Sequence, residues 1–325
     1  METFFLFDEY FKAIPLLKGI PEAYNKYVIK GAIGYHAKID ERSIMLFQSI
    51  DLGEIEICIS HYLVNHPMKI FCTADCESLE LHNMIQGEAQ YRLKGFEWRR
   101  IKAGQHNLIY LTNVKNETYF KGNTTITFDI HLSKELLQQL ANQYPKLHPI
   151  WNKIKKEENG SLYIEFADNS AKSMHFIVRI MELLYQEGVG NPQIKLWAMD
   201  LLKVLLEADA LPSKYRYSYE DIKTIDHAAT MLIAHQDEKN VLANQLRKSH
   251  LNADKFREGF RLLFGQNPKQ FLLSKKMEQV KILLGKGYTL DEICERTGYS
   301  TVSHLEEAFV RYNGHSIGSQ RKTKK

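Results

Sequence analysis

A chain of 325 residues exceeds one typical compact domain and suits two or three. Its 44% hydrophobic and 25% charged residues are ordinary for a soluble globular protein, and no uncharged apolar run approaches the ~18 residues of a membrane span. The net charge of +4 is unevenly spread: from Arg216 onward there are 19 Lys and Arg against 13 Asp and Glu, while the preceding residues hold 24 against 26, so basic charge gathers as a polyanion partner would require.

Four cysteines, Cys58, Cys72, Cys76 and Cys294, are too few to form a dense disulfide framework in a chain this long, which points to a reducing compartment. The opening Met1-Glu-Thr-Phe-Phe-Leu-Phe-Asp-Glu9 has no basic start and meets acid early. No secretory leader is therefore expected, and the expected location is the cytoplasm with no membrane partner.

In chain order, Phe4 to Leu17 reads as a helix interrupted by Pro15 or as a loose N-terminal extension. From Ser43 to Leu132 the pattern changes to short alternating runs: Ile55, Ile57 and Ile59; Leu79 and Leu81; Ile126, Phe128 and Ile130. Turn signals such as Lys102-Ala-Gly104 and Lys121-Gly-Asn123 separate them. About seven strands at this spacing predict an antiparallel barrel or sandwich. Within it, Glu97-Trp-Arg-Arg100 offers Trp98, Arg99 and Arg100 either to an anionic or catechol ligand or, as a plain amphipathic strand, to water.

Helices follow. One starts at Ser133 and ends at Pro145, and a second spans roughly Lys146 to Glu157. Leu162 to Phe166 is a short strand candidate. Asp168 to Glu187 and Pro192 to Ala210 are the long helices, separated at Gly188-Val-Gly190. The last carries two apolar stripes, Ile194, Trp197, Leu201 and Leu205, and Leu196, Met199, Leu202 and Leu206. A helix apolar on two sides needs two packing partners, its own domain and either more of that domain or a second subunit. Leu211 to Ser218 lacks periodicity and contains Pro212, as a hinge would.

Tyr219 to about His235 forms a helix leading into a duplication. Phe256, Phe260, Gly265, Pro268 and Phe271 recur as Leu305, Phe309, Gly314, Ile317 and Gln320 at a constant offset of 49 residues. Each copy reads as two helices joined by a tight turn, the arrangement that lays a second helix in the DNA major groove. In the second copy Leu290, Ile293 and Cys294 mark a short helix, Gly298 supplies the turn, and Ser300 is the expected cap of a helix from Thr301 to about Tyr312. In the first copy Leu242 and Leu246 precede a turn at His250, a residue less suited to it than glycine, and Asn252 caps the next helix. Pro268 to about Leu284 joins the copies as a rod of roughly 25 Å, near the ~34 Å that separates successive major grooves on one side of DNA.

A step of 100° per residue separates packing from offered faces. In the first copy Phe256, Phe260 and Leu263 pack, and Asp254, Arg257, Glu258 and Arg261 lie opposite. In the second, Leu305, Ala308 and Phe309 pack, Ser303, Glu306, Glu307 and Val310 lie outward, and Val302 and His304 flank. Arg257 and Arg261 suit guanine edges or phosphate, Lys255 phosphate, and Asn252 either a cap or phosphate. The basic tail, Arg321 to Lys325, suits sequence-blind attraction.

These residues resemble the AraC/XylS transcription regulators. The resemblance covers about Tyr219 to Arg321 and is most specific in Leu290-Asp-Glu-Ile-Cys-Glu-Arg-Thr-Gly-Tyr-Ser300 followed by His304, Phe309, Arg311 and Gly314. It implies base-facing Asp254, Arg257 and Glu258 in the first copy and Val302, Ser303 and Glu307 in the second, with Thr301 and Arg311 beside them. The family usually has a basic residue where Val310 stands, an aromatic at Asn313, proline at Ile317 and an aromatic at Gln320, which weakens the expected packing and grip of the second copy. A segment from about Gln105 to Leu137 is similar to the sensor half of regulators of iron-siderophore uptake.

No Gly-rich phosphate loop, nucleophile elbow or His-x-His pair occurs, so no catalytic residue, metal site or cofactor is expected. Cys72 and Cys76 lack a matching second thiol pair and read as free thiols. The expected fold is α+β: a strand-rich ligand-sensing domain at 1–165, a helical dimerisation segment at 166–210, a linker at 211–218 and an all-α double helix-turn-helix domain at 219–325. The expected function is sequence-specific transcription regulation under a small effector, by a homodimer on double-stranded DNA, with RNA polymerase as partner where it acts as an activator. The alternatives are an N-terminal barrel that is an enzyme, needing convergent titratable residues in a pocket, or one that binds another protein, needing a filled interior.

Overall fold

The alternation in the N-terminal third becomes two antiparallel sheets. The computed structural model describes residues 4–207, 214–238 and 240–322. The strands are β1 (Phe5–Phe7), β2 (Ala13–Ile14), β3 (Leu17–Lys18), β4 (Ile33–Lys38), β5 (Ile44–Asp51), β6 (Ile55–Leu63), β7 (Met68–Ala74), β8 (Ser78–Gln86), β9 (Glu88–Leu93), β10 (Arg99–Lys102), β11 (Gln105–Leu111), β12 (Val114–Phe120), β13 (Thr124–Leu132), β14 (Gly160–Ser161) and β15 (Ala167–Asp168). A six-stranded sheet runs β10-β9-β12-β7-β1-β2, and a nine-stranded sheet runs β14-β11-β8-β13-β6-β5-β4-β3 with β15 also on β11.

Three details depart from the sequence reading. Residues 4–17 hold short strands and no helix, because Leu6 and Ile14 bury themselves by pairing across a turn and Pro15 bars a helix. More strands than the expected seven lie between Ser43 and Leu132, since β9 and β10 hide their periodicity under cross-strand ion pairs, Arg100 with Glu88 and Arg92 with Glu117. Residues 162–166 leave the sheet between β14 and β15, where the Asn107 side chain takes over the backbone of Tyr163, donating to its O at 2.9 Å and accepting from its N at 3.1 Å.

The nine-stranded sheet is covered by α1 (Lys134–Gln143), α2 (His148–Lys155), α3 (Ala171–Glu187) and α4 (Gln193–Glu207). Ser133 and Ser170 cap α1 and α3 through Leu136 N and Ser173 N. Leu81 of β8 and Leu132 of β13 meet Leu137 and Leu140 of α1 and Leu202 and Leu206 of α4. Leu202 and Leu206 of the second stripe of α4 therefore find their partners within their own unit. Leu201, on the first stripe, is 0% exposed, and Leu196, at 59%, is the large apolar side chain this helix leaves to solvent. Of the expected hinge, residues 211–213 lie outside the described residues, and Arg216 is ion-paired with Asp168 at 2.8 Å.

Backbone contacts divide the chain into two compact units, Met1–Tyr219 and Glu220–Lys325. The second contains α5 (Tyr219–Ala234, whose first residue belongs to the first unit), α6 (Val241–Ser249), α7 (Ala253–Phe264), α8 (Pro268–Gly285), α9 (Leu290–Thr297), α10 (Val302–Asn313) and α11 (Ile317–Lys322). Its α8 serves both copies of the duplication. Near its start Phe271 stacks with Phe260 and Phe264 at ring distances of 5.4 and 5.1 Å. Further along, Met277, Val280 and Leu283 form one core with Ile293, Leu305, Phe309 and Ile317. Burying a Leu or Phe fully contributes about 1.5 to 3 kcal/mol, so each copy is anchored to this shared helix several times over.

Candidate functional site

Each copy is a helix, a left-handed turn and a capped second helix. In the first, α6 ends at His250 with φ 56°, a position that costs a non-glycine residue about 1 to 2 kcal/mol, and Asn252 caps α7 by accepting from Lys255 N at 2.7 Å. In the second, Thr289 and Glu292 form a capping box on α9, Gly298 makes the turn with φ 72°, and α10 follows. The cap of α10 is Thr301 and not Ser300: Thr301 Oγ1 accepts from His304 N at 3.2 Å, while Ser300 Oγ lies 2.9 Å from His304 Nδ1. The hydroxyls of Thr301 and Ser300 are thus engaged locally, one turn before the exposed face of α10.

On α7, Asp254, Arg257 and Arg261 are exposed, and Glu258 is half-buried. Arg257 lies back along its own helix, Nε donating to Ala253 O at 3.1 Å and the guanidinium 3.4 Å from Asp254. These are tethers on open surface and cost little to release. Lys255 departs from the phosphate role expected of it, because its ammonium is held 2.7 Å from Asp221 of α5, with both side chains mostly covered. On α10, Ser303, His304, Glu307 and Arg311 are exposed, whereas Val302 packs against the core.

Three of the four departures in the second copy, Val310, Asn313 and Ile317, do not loosen its packing, and the side chain of Gln320 lies outside the described residues. Ile317 is the first residue of α11, a position open to residues other than proline, and it is 2% exposed in the shared core. Asn313 Nδ2 donates to Phe309 O at 3.0 Å, and Val310 stands in solvent. The side chains of 320–322 and all of 323–325, including the basic tail, lie outside the described residues.

The first unit encloses a cavity of about 380 Å³ between its two sheets. Its wall was not foreseen. On β6, β8 and β13 the apolar positions that carried the alternation face outward to the helices, and the polar positions face inward. Strand register sets these inward residues in rows: Glu80, His131 and Glu56 side by side; then His82, Asp129 and Cys58; then Met84, Thr127 and Ser60. Asp129 accepts from Thr127 Oγ1 at 2.8 Å and lies 2.7 Å from His82 Nδ1. Burial opposes charge on His82, but the carboxylate of Asp129, by charge and hydrogen bond, and that of Glu80 outweigh it, so the imidazole titrates above its ordinary value. Burial, seconded by Glu56, Asp129 and Glu80, pushes the Cys58 thiol up, and burial with Glu80 raises Cys72 to about 12.

The expected ligand residues lie elsewhere. Trp98 is sandwiched outside the cavity by Lys69 and Arg92, each 5.4 Å from its ring, Arg99 covers Phe96 at 5.1 Å, and Arg100 is paired with Glu88. They form an exposed amphipathic edge because β10 ends the six-stranded sheet. Among the described residues no group of three or more His, Cys, Asp or Glu is arranged to hold a metal ion, and no helix is long and apolar enough to cross a membrane.

A family model described as a helix-turn-helix domain matches residues 246–323, from the end of α6 through α11. Among solved structures, the chain is similar to the AraC-like transcriptional activator CuxR, with 9% identity, coverage of 83% of this chain and 96% of that one, and a TM-score of 0.35. It is also similar to ToxT from Vibrio cholerae, with 9% identity, coverage of 82% of this chain and 96% of that one, and a TM-score of 0.30. Wild-type ToxT from Vibrio cholerae with an unsaturated fatty acid bound gives 10% identity, coverage of 81% and 92%, and a TM-score of 0.29. Superpositions this loose carry nothing beyond their own description, and no curated protein matches the chain. The duplicated, capped helix pairs and the family match over them show that the chain carries a helix-turn-helix domain, the kind of module that binds DNA.

Proposed function

We propose that this protein is a sequence-specific transcription regulator in which a small ligand, held between the sheets of the N-terminal unit, sets how the C-terminal unit engages DNA. The observation that supports the ligand most is the cavity, whose volume lies within the range of small-molecule sites and whose wall mixes apolar surface with convergent polar groups. An interior filled by side chains would have favoured a protein-interaction role. The ligand acts by favouring one of two pre-existing arrangements, and its leverage equals its difference in affinity for them.

The same convergent groups are what an enzyme would need, but their state favours recognition over catalysis. An imidazole that Asp129 already engages and whose pKa it raises is poorly placed to take a substrate proton, and thiols raised by burial are poor nucleophiles. Selecting bound fragments from random DNA, with and without a small-molecule extract, tests the reading. An enriched sequence whose affinity moves with the extract is the expected result; enrichment of none, or an affinity indifferent to every extract, contradicts it.

Base readout falls to the exposed face of α7, with Asp254, Arg257 and Arg261, and to Ser303 and Glu307 of α10. Arg257→Ala is expected to cost about 1 to 3 kcal/mol at the selected site and to relax preference at one base pair. Binding to single-base variants of that site checks this, and an unchanged preference removes Arg257 from the contacts.

A further inference from the structure

We infer that the cavity of the N-terminal unit takes a small organic cation, a protonated amine or guanidinium carried on an apolar body. The inference rests on the ligand-controlled reading above and names the chemistry of that ligand. Its first support is charge. The wall carries Glu56, Glu77, Glu80 and Asp129, and neither lysine nor arginine lines it. Glu77 is paired at the rim with Lys134, Asp129 is paired with His82, and Glu80 lies 3.6 Å from His131. Glu56 stands beside His131 in the register with no ion pair or hydrogen bond of its own among the described residues. Even with both histidines charged, one carboxylate is left over among the described residues, and a half-buried carboxylate without a partner is costly.

The second support is independent of charge. Four polar atoms on the wall are buried and have no hydrogen-bond partner among the described residues: His82 Nε2, Tyr91 Oη, Thr125 Oγ1 and Asn116 Oδ1. Tyr91 is 8% exposed and Thr125 0%. The three oxygens can accept from an N–H group, which a cation brings in numbers and a carboxylate lacks. The third support is the remaining wall. Tyr62 stacks on Phe120 at 4.9 Å and meets Phe47 edge-on at 5.9 Å, so aromatic surface attractive to a cation and to its apolar body lies in the same cavity. The wall's charge is offered to an organic ion, since no three ligating side chains on it converge as a metal requires.

The test uses the full chain and matched triplets of one skeleton, phenethyl, indol-3-ylethyl and cyclohexylethyl, each as ammonium, alcohol and carboxylate, with binding followed by saturation-transfer NMR and calorimetry. Ammonium members are expected to bind at least tenfold tighter than the alcohols, and the carboxylates not at all. Glu56→Gln should remove that advantage, and Glu56→Lys should turn it toward the carboxylates, both with an unchanged near-ultraviolet dichroism spectrum. Preference for carboxylates or alcohols in the unaltered chain overturns the inference and leaves ligand control standing. Absence of binding by every member overturns the inference. Ammonium binding without any change in affinity for the selected DNA supports the inference and removes ligand control.

Discussion

Gly298→Ala is expected to abolish recognition by the second helix-turn-helix. A residue with a side chain at φ 72° costs about 1 to 2 kcal/mol, and Gly265 and Gly314, also left-handed, carry that cost alone, because a Cβ at either meets nothing within 4 Å. At Gly298 the Cβ would lie 2.3 Å from Asp237 O and 2.7 and 2.8 Å from Asp237 Cα and C. Those are backbone atoms of the turn after α5, which cannot rotate aside as a side chain can. The turn and the α9–α10 corner must separate, and the total cost should exceed about 3 kcal/mol, a large part of what a domain has. Urea melts together with amide exchange along α9 and α10 should rank Gly298→Ala well below Gly265→Ala and Gly314→Ala. Equal losses at the three positions would show that Asp237 does not abut Gly298.

Mild acid is expected to destabilise the N-terminal unit through two buried imidazoles. His61 and His106 are 2% and 4% exposed, and burial lowers both imidazoles to about 4, for His106 with help from Lys146 and against Asp168. His61 Nδ1 and His106 Nδ1 have no hydrogen-bond partner among the described residues, so a proton there would gain no acceptor. A folded-state pKa below the unfolded value of about 6.5 means the unfolded chain binds more protons between the two. The stability from keeping these rings neutral is complete above 6.5 and is lost as pH falls toward 4. At pH 4.5 the loss is about 2.5 kcal/mol per ring, or about 5 kcal/mol for both. His82 works in the opposite sense, since its raised pKa gives stability present below 6.5 and lost as pH rises through the folded value. A His61→Gln, His106→Gln double variant keeps His82 and should show a markedly flatter dependence of urea midpoint on pH between 7 and 4.5. An unchanged slope would mean that the two rings are protonated as readily inside the fold as outside it.

The C-terminal unit was legible because its instructions are local. Asn252 and Gly298 each act on backbone within four residues of themselves, so cap and turn are visible in a single window of sequence. The error of one residue at Thr301 arose because serine and threonine are adjacent and both are capping types. The cavity was not legible for the opposite reason. Alternation on β6, β8 and β13 was real, yet which face meets water depends on helices far along the chain, and α1 and α4 cover the apolar face. A signal was nevertheless present: the alternate positions hold Glu56, Cys58 and Ser60, Ser78, Glu80 and His82, and Thr127, Asp129 and His131, with none of the lysines and arginines that solvated strand faces carry. A helix between a sheet and another helix shows two apolar sides, as α4 does, so its stripes alone do not specify a second subunit.

The sharing of α8 has a consequence for the operator. Its start is locked into the aromatic cluster of the first copy and its later turns into the core of the second, so neither copy can swivel about the spacer without breaking a core. Where both copies grip the duplex, they do so as a caliper set to one opening and one angular phase. Inserting a single base pair between their contacts turns the far one by roughly 35°, beyond the caliper's play. Such an operator could regain the fit only by bending or untwisting, which makes the uncontacted base pairs between the grips a second determinant of which sites are occupied.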